Sequence, residues 1–313
     1  MIAGMNTHLK PTISFRAPHG PQASMRATFL LAALPLAALA APAAVDISGD
    51  TREFAPDIIS TRYADVRLTI SPDGMTAMWF SRNRPGGPGG YDIWTSRRTA
   101  TGWAEAVPVS FNTASRDFDP AFSRDGRLVY FASDRTGGVG GDDLYRVAVT
   151  KDGFGAVEHL GNVVNTARNE WAPMMFGSTL LFASDGHGGA GRMDLFTAKT
   201  RKERFDSVEA LPGAVNTPAD EFDATFLSDG VSLIFSRADN LEKDPVALFY
   251  SDRIDGRYLA GKRLFDAINT PRSDTYAPML DWSDPNYITF TTRRPAASLR
   301  GADLYRVEVR LRQ

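Results

Sequence analysis

The chain has 313 residues, of which 43% are hydrophobic and 23% charged, a composition that excludes collagen, coiled coil and wholesale disorder. A formal charge of −2 supplies no basic footprint and argues against nucleic acid as a partner. With no cysteine, disulfide frameworks, thiolate metal sites and cysteine nucleophiles are excluded, and two of the four histidines, His8 and His19, lie upstream of any plausible domain.

In chain order, the first feature is an address. Met25-Arg26 precedes an apolar run from Ala27 to Ala40 and then small residues through Ala43, which reads as the n-region, h-region and cleavage site of a secretory signal peptide over residues 25–43. At ~1.5 Å per residue this run reaches only ~21 Å, short of the ~30 Å hydrocarbon core, so no stable membrane span is expected after cleavage. Residues 1–24 read as an over-long start or a disordered leader, with Met25 as the initiator. Removing residues 1–43 takes away Lys10, Arg16 and Arg26 and no acid, leaving 32 basic and 37 acidic residues, a charge of −5. An exported chain without cysteine must draw its stability from packing and strand pairing.

From residue 44 onward an internal repeat organises the text. Asn112-Thr113, Asn165-Thr166, Asn216-Thr217 and Asn269-Thr270 recur at intervals of 53, 51 and 53 residues. Each marker is followed by a short strand ending in a turn, as in Val66–Ile70 before Ser71-Pro72-Asp73-Gly74 and Phe118–Phe122 before Ser123-Arg124-Asp125-Gly126. A second, unalternating apolar strand follows (Met78–Ser81, Val129–Ser133, Leu180–Ser184, Leu233–Ser236, Tyr287–Thr291), as suits a strand covered on both faces. Then come a Gly-rich loop, a third strand opening on Asp92, Asp143, Asp194 or Asp303, and a fourth strand that ends in the marker.

Four short strands per ~52 residues predict a β-propeller blade. The last copy stops after its third strand, while Ala55–Thr61 aligns with the fourth-strand ends Leu211–Thr217 and Leu264–Thr270. The expected architecture is therefore all-β: one domain over residues 44–313, a five-bladed β-propeller of four-stranded antiparallel blades, closed by an N-terminal strand that completes the last blade. Closure removes the sheet edges that would invite aggregation.

Ser71-Pro72-Asp73-Gly74 and Ser133-Asp134-Arg135-Thr136-Gly137-Gly138 resemble the TolB-like, WD40-like propeller repeat of bacterial envelope and exported proteins. The resemblance covers nearly all of residues 52–313, strongest in the first three copies, with the fourth degenerate over residues 239–245. It implies the fold and a periplasmic or secreted location. It does not carry over a Tol-Pal role, because five blades are counted, not six, and no separate α/β domain precedes them.

Candidate sites come from the repeat. Four residues after each marker Thr stands an acid: Asp65, Asp117, Glu170, Glu221 and Asp274. Five carboxylates at one channel mouth would suit a basic partner segment or a Ca²⁺ cofactor; the competing reading has each acid capping its own blade through Arg135-like partners or backbone amides. Asp274 is one residue out of register with the others. Asp92, Asp143, Asp194 and Asp303 read as bonding their own loop amides. Gly87, Gly90, Gly138 and Gly141 open no helix and make no phosphate cradle. His159 and His187 lack a nucleophile elbow and read as structural. Trp79, Trp94, Trp103, Trp171 and Trp282 read as inter-blade packing. The expected function is a non-enzymatic, monomeric binding or scaffold protein that recognises a protein, peptide or cell-wall ligand at the channel mouth. The rival is a glycoside hydrolase using mouth carboxylates.

Overall fold

A computed structural model describes residues 45–202, 204–293 and 301–311; the signal-peptide reading lies outside them. The strands group into five antiparallel sheets, each a blade, with a short hairpin beside the fourth, and the fold is the expected five-bladed propeller. Two N-terminal strands, β1 (Val45–Ile47) and β2 (Arg52–Glu53), belong to the last blade. Blade 1 runs through β3 (Ala64–Ile70), β4 (Thr76–Arg82) and β5 (Tyr91–Thr99), and its outer edge is split into β6 (Gly102–Trp103) and β7 (Val107–Pro108). Blade 2 is β8 (Asp117–Phe122), β9 (Leu128–Ser133), β10 (Asp143–Thr150) and β11 (Gly153–His159). Blade 3 is β12 (Glu170–Phe176), β13 (Thr179–Ser184), β14 (Asp194–Arg201) and β15 (Arg204–Ala210). Blade 4 is β16 (Asp220–Phe226), β17 (Leu233–Ala238) and β18 (Ala247–Ser251), then the hairpin β19 (Arg253–Ile254) and β20 (Arg257–Tyr258), and outer strand β21 (Lys262–Arg263). Blade 5 is β22 (Thr275–Leu280), β23 (Tyr287–Thr292) and β24 (Asp303–Leu311), on which β1 and β2 both pair.

The blades are alike because the same residues do the same work. Asp-Gly turns join the first two strands, with Gly74, Gly126 and Gly230 at φ 71°, 70° and 67°, where a Cβ would be strained. Ser71 and Ser123 donate to Asp73 and Asp125 at 2.5 and 2.7 Å and brace these turns. The second and third strands place an aromatic pair at one register position in every blade: Trp79–Trp94, Phe131–Tyr145, Phe182–Phe196, Phe235–Phe249 and Phe290–Tyr305. The second-strand member of each pair is fully buried, and burying one such ring stabilises by about 1.5–3 kcal/mol.

The marker Asn is a clasp. Asn112 accepts from Ile93 N at 3.0 Å and donates to its carbonyl at 2.9 Å, so its side chain imitates a strand residue. Asn165 treats Leu144 the same way, Asn216 Leu195 and Asn269 Leu248. At the closure Ser60 takes this part with Leu304, accepting its N–H at 3.1 Å and donating to its carbonyl at 3.2 Å. The N-terminus completes the last blade as expected, but with different residues. The pairing strands are Val45–Ile47 and Arg52–Glu53, whereas Ala55–Thr61 forms the turn after them, with Ile59 N bonding Ala55 O at 2.9 Å. The marker alignment had matched turn with turn, because Asn-Thr lies beyond the fourth strand and not inside it.

Candidate functional site: a blind funnel on the propeller axis

Four of the five repeat acids are wholly buried at the start of their inner strands. Asp65, Asp117, Glu170 and Glu221 each accept the N–H of their own marker Thr, at 2.7, 2.5, 2.9 and 2.8 Å, and its hydroxyl as well. Second-strand serines add Ser81 to Asp65, Ser133 to Asp117 and Ser184 to Glu170. A cation reaches three of the acids: Arg135 stands 2.5 Å from Asp117, Arg237 2.6 Å from Glu221 and Arg84 4.0 Å from Asp65. Burial pushes the carboxyls of Asp65, Glu170 and Glu221 up, against the pull of these hydrogen bonds. Asp274 is placed differently: it is exposed, accepts Val246 N at 3.1 Å, and the register position equivalent to the other four is filled by Thr275. Among the described residues no group of three or more His, Asp or Glu side chains is arranged to hold a metal ion.

The Asp-Gly loops are also internal fittings. Asp92, Asp143 and Asp194 accept from Gly89, Val139 and Gly191 N–H groups of their own loops at 3.0, 2.5 and 3.0 Å. A Cβ on Gly140 would stand 2.3 Å from Thr166 O of the next blade's marker, so this loop must be bare backbone. His159, at the end of β11, meets Asn165 at 2.8 Å, and the loop residue His187 meets Val164 O at 2.7 Å, so both histidines are satisfied within the fold.

Two residues beyond the acids lies a second ring. Arg67, Asp119, Ala172, Asp223 and Ala277 all have positive φ, between 48° and 55°, and each sits where the pairing of inner and second strands skips register. Such a bulge re-aims a side chain out of the strand's alternation. Here three of the five positions carry charge. Asp119 Oδ2 accepts Ala172 N at 3.1 Å, tying equivalent positions of blades 2 and 3. Arg67, with no exposed surface, donates to Pro173 O at 3.2 Å and places Nη1 3.8 Å from Asp223, while its Nε and Nη1 find no hydrogen-bond acceptor. Burial, and then the charge of Asp223, pushes the Asp119 carboxyl up to about 8 against the pull of Arg67. Burial likewise raises Asp223, opposed by the same guanidinium. Burial and mutual repulsion thus favour the neutral form at this pair, against the pull of Arg67.

Above this floor opens a cleft of about 600 Å³. One wall is aromatic: Phe80, Tyr91 and Phe118 pack with centroids 5.6–5.9 Å apart, and Arg82 lies 4.8 Å over Tyr91. Trp171 faces the same space and is fixed by its Nε1 donating to Asp142 at 2.8 Å; Asp142 in turn holds Arg116 at 2.6 Å. The opposite wall is the irregular segment of blade 4, Leu241 to Val246, pinned where Leu241 N meets Asp220 at 2.8 Å. Arg272, Asp274 and Arg293 from blade 5 complete the rim. At the other end of the axis Trp282 of blade 5 donates to Phe122 O of blade 2 at 2.9 Å and packs on Phe176 of blade 3, itself against Phe226 of blade 4. With Arg67 buried between the two ends, the cleft is a blind funnel.

Of the residues that line this funnel, Asp274 is a candidate from the repeat pattern and Trp171 was expected to pack between blades. Arg67, Asp119 and Asp223 occupy one repeat position filled by Arg, Asp, Ala, Asp and Ala, and charge inside an inner strand was the available signal. Trp103 packs against Phe54 and Trp79 and Trp94 lie in the core as expected, but Trp171 lines the funnel and Trp282 seals its far end.

No family model matches the sequence, and no curated protein does. Solved structures do match. A thermostable family-43 glycoside hydrolase is 8% identical over 81% of this chain and 91% of that one, with a TM-score of 0.56. An endo-arabinase from Bacteroides thetaiotaomicron is 11% identical over 84% of this chain and 99% of that one, with a TM-score of 0.53. TolB from Acinetobacter baumannii is also among the matches, 15% identical over 80% of this chain with a TM-score of 0.46, and the chain spans 57% of its length. Likeness at such identities defines a β-propeller and nothing finer.

Proposed function

We propose that the protein is an exported binding module that takes a protein or peptide segment into the funnel. The supporting observation is the asymmetry of the axis: one end is a mouth of aromatic and guanidinium side chains, the other is shut by Trp282. Export, to the periplasm or beyond the cell, rests on the signal-like residues 25–43; no helix among the described residues is long and apolar enough to cross a membrane. Four of the five repeat acids act within their blades, and Asp274 contributes to the mouth. The test is affinity capture from envelope extract with the tagged chain expressed from its own N-terminus, beside Trp171→Ala. A protein retained by the parent and lost from the variant supports the reading; equal or empty captures overturn it.

One observation favours a glycoside hydrolase as the second reading. Asp119 and Asp223 face the funnel in unequal surroundings, one paired with a backbone amide and the other beside Arg67, and glycosidases divide acid and base between two such carboxyls. Turnover of chromogenic glycosides abolished by Asp119→Asn establishes it; no turnover by the parent removes it.

A further inference from the structure

Resting on the reading of the funnel as a peptide site, we propose that its occupant is a chain end: the free C-terminal carboxylate of a peptide with an apolar last side chain, gripped by Arg82, Arg272 and Arg293. The first argument is charge. Arg116 at the same mouth is already committed to Asp134 and Asp142, at 3.0 and 2.6 Å. Arg82, Arg272 and Arg293 are exposed, and among the described residues none has a carboxylate within 4.0 Å. Arg82 and Arg293 both act electrostatically on the Tyr276 hydroxyl, as do Asp223 and Asp274, which places the two arginines along one stretch of wall shared with these acids. A guanidinium offers paired N–H donors that match the two oxygens of a carboxylate, so uncommitted arginines around a concave site select planar anions.

The second argument is shape. Because the far end is shut, a chain cannot thread through, and only an end can descend to the floor. A cavity of about 600 Å³ is ample for one terminal residue with its neighbours. The third argument is the lining itself. Val66, Phe80, Phe118, Phe222 and Leu241 offer apolar surface against which an aliphatic or aromatic last side chain can pack, a match that a peptide supplies and a saccharide does not.

The experiment measures fluorescence anisotropy with the full chain against two hexapeptide pools, labelled at the N-terminus and randomised over the last three positions, one ending in the free acid and one in the amide. The expected result is saturable binding of the acid pool, at least tenfold weaker binding of the amide pool, and a loss of about tenfold with Arg82→Gln or Arg293→Gln. Arg263→Gln, on outer strand β21, serves as the unaffected control, and Arg82→Lys tests whether charge without the fork suffices. Acid and amide pools bound alike, with both lost in Trp171→Ala, would overturn the chain-end inference and leave the funnel reading standing. No binding of either pool up to 1 mM would overturn both, as a site of this size predicts better than millimolar affinity for its cognate class (~4 kcal/mol). Binding of a hexauronate but not of peptides would overturn the inference in favour of a saccharide.

Discussion

Two adjacent rings on the propeller axis, two residues apart in every blade, follow opposite rules. The ring of Asp65, Asp117, Glu170 and Glu221 is filled nearly alike in four blades, with Thr275 in the fifth, and every acid accepts both the N–H and the hydroxyl of its own marker Thr. The ring of Arg67, Asp119, Ala172, Asp223 and Ala277 shares a backbone shape but not a chemistry. Repetition at the first ring means that each blade solves the same local problem of ending a turn and starting a strand. Variation at the second means that the blades cooperate on something none of them needs singly. A site in a repeat protein is thus sought where the backbone is conserved between copies and the side chain is not.

That contrast can be broken from either side. The largest effect is expected from Asp117→Ala, which strands Arg135, Ser133 and Thr113 in the interior; removing one partner of a buried ion pair costs about 3–5 kcal/mol. Urea denaturation would register it, and a loss below 1 kcal/mol would contradict the clasp. Asn165→Ala removes two bonds to Leu144 and leaves its buried N–H without a partner, while its carbonyl keeps the Leu160 N–H, a loss of about 1–3 kcal/mol by the same measurement.

The second ring should answer to pH. The folded-state carboxyl of Asp119 lies above its unfolded value, so the native state binds the extra proton, and stability declines as pH rises from about 4 towards 8. The groups that act on it are Asp223 from blade 4, Arg67 from blade 1, Asp142 from blade 2 and the Ala172 amide from blade 3. Asp119→Asn keeps the acceptor for Ala172 and discards the titration. Its melting temperature at pH 8 is expected to exceed that of the parent by about 2–4 °C for each kcal/mol relieved, with the gap closing at pH 4. A constant gap would assign the effect to packing. The smallest change is Trp282→Phe, which keeps the ring but loses the bond to Phe122 O, for about 0.5–1.5 kcal/mol. Peptide affinity at the opposite mouth should stay unchanged.

Most of the architecture was legible because it is written five times. Asp-Gly turns, the Asn-Thr marker and the paired aromatics each recur, and recurrence converts weak local signals into a fold. The closing strands were legible only approximately: Val45–Ile47 and Arg52–Glu53 are short, and the marker aligned the turn beyond them. The funnel was mostly illegible for the complementary reason. Comparing copies highlights sameness, so Asp65 and its kin stood out while Arg67, Asp119 and Asp223 passed as ordinary strand residues. The degenerate text over residues 239–245 was the visible clue, since there the Gly pattern of the first three loops is lost and the segment builds a wall of the funnel.

The closure of the last blade has a consequence for the order in which the molecule can assemble. Ser60 and Leu304 clasp one another across 244 residues of chain, and β1 has no partner until β24 exists. β1 and β2 are therefore docked only after β24 has been made, and the ring remains an open arc until then. Contacts so distant in sequence form late and slowly, which gives a nascent chain time to remain threadable before it locks.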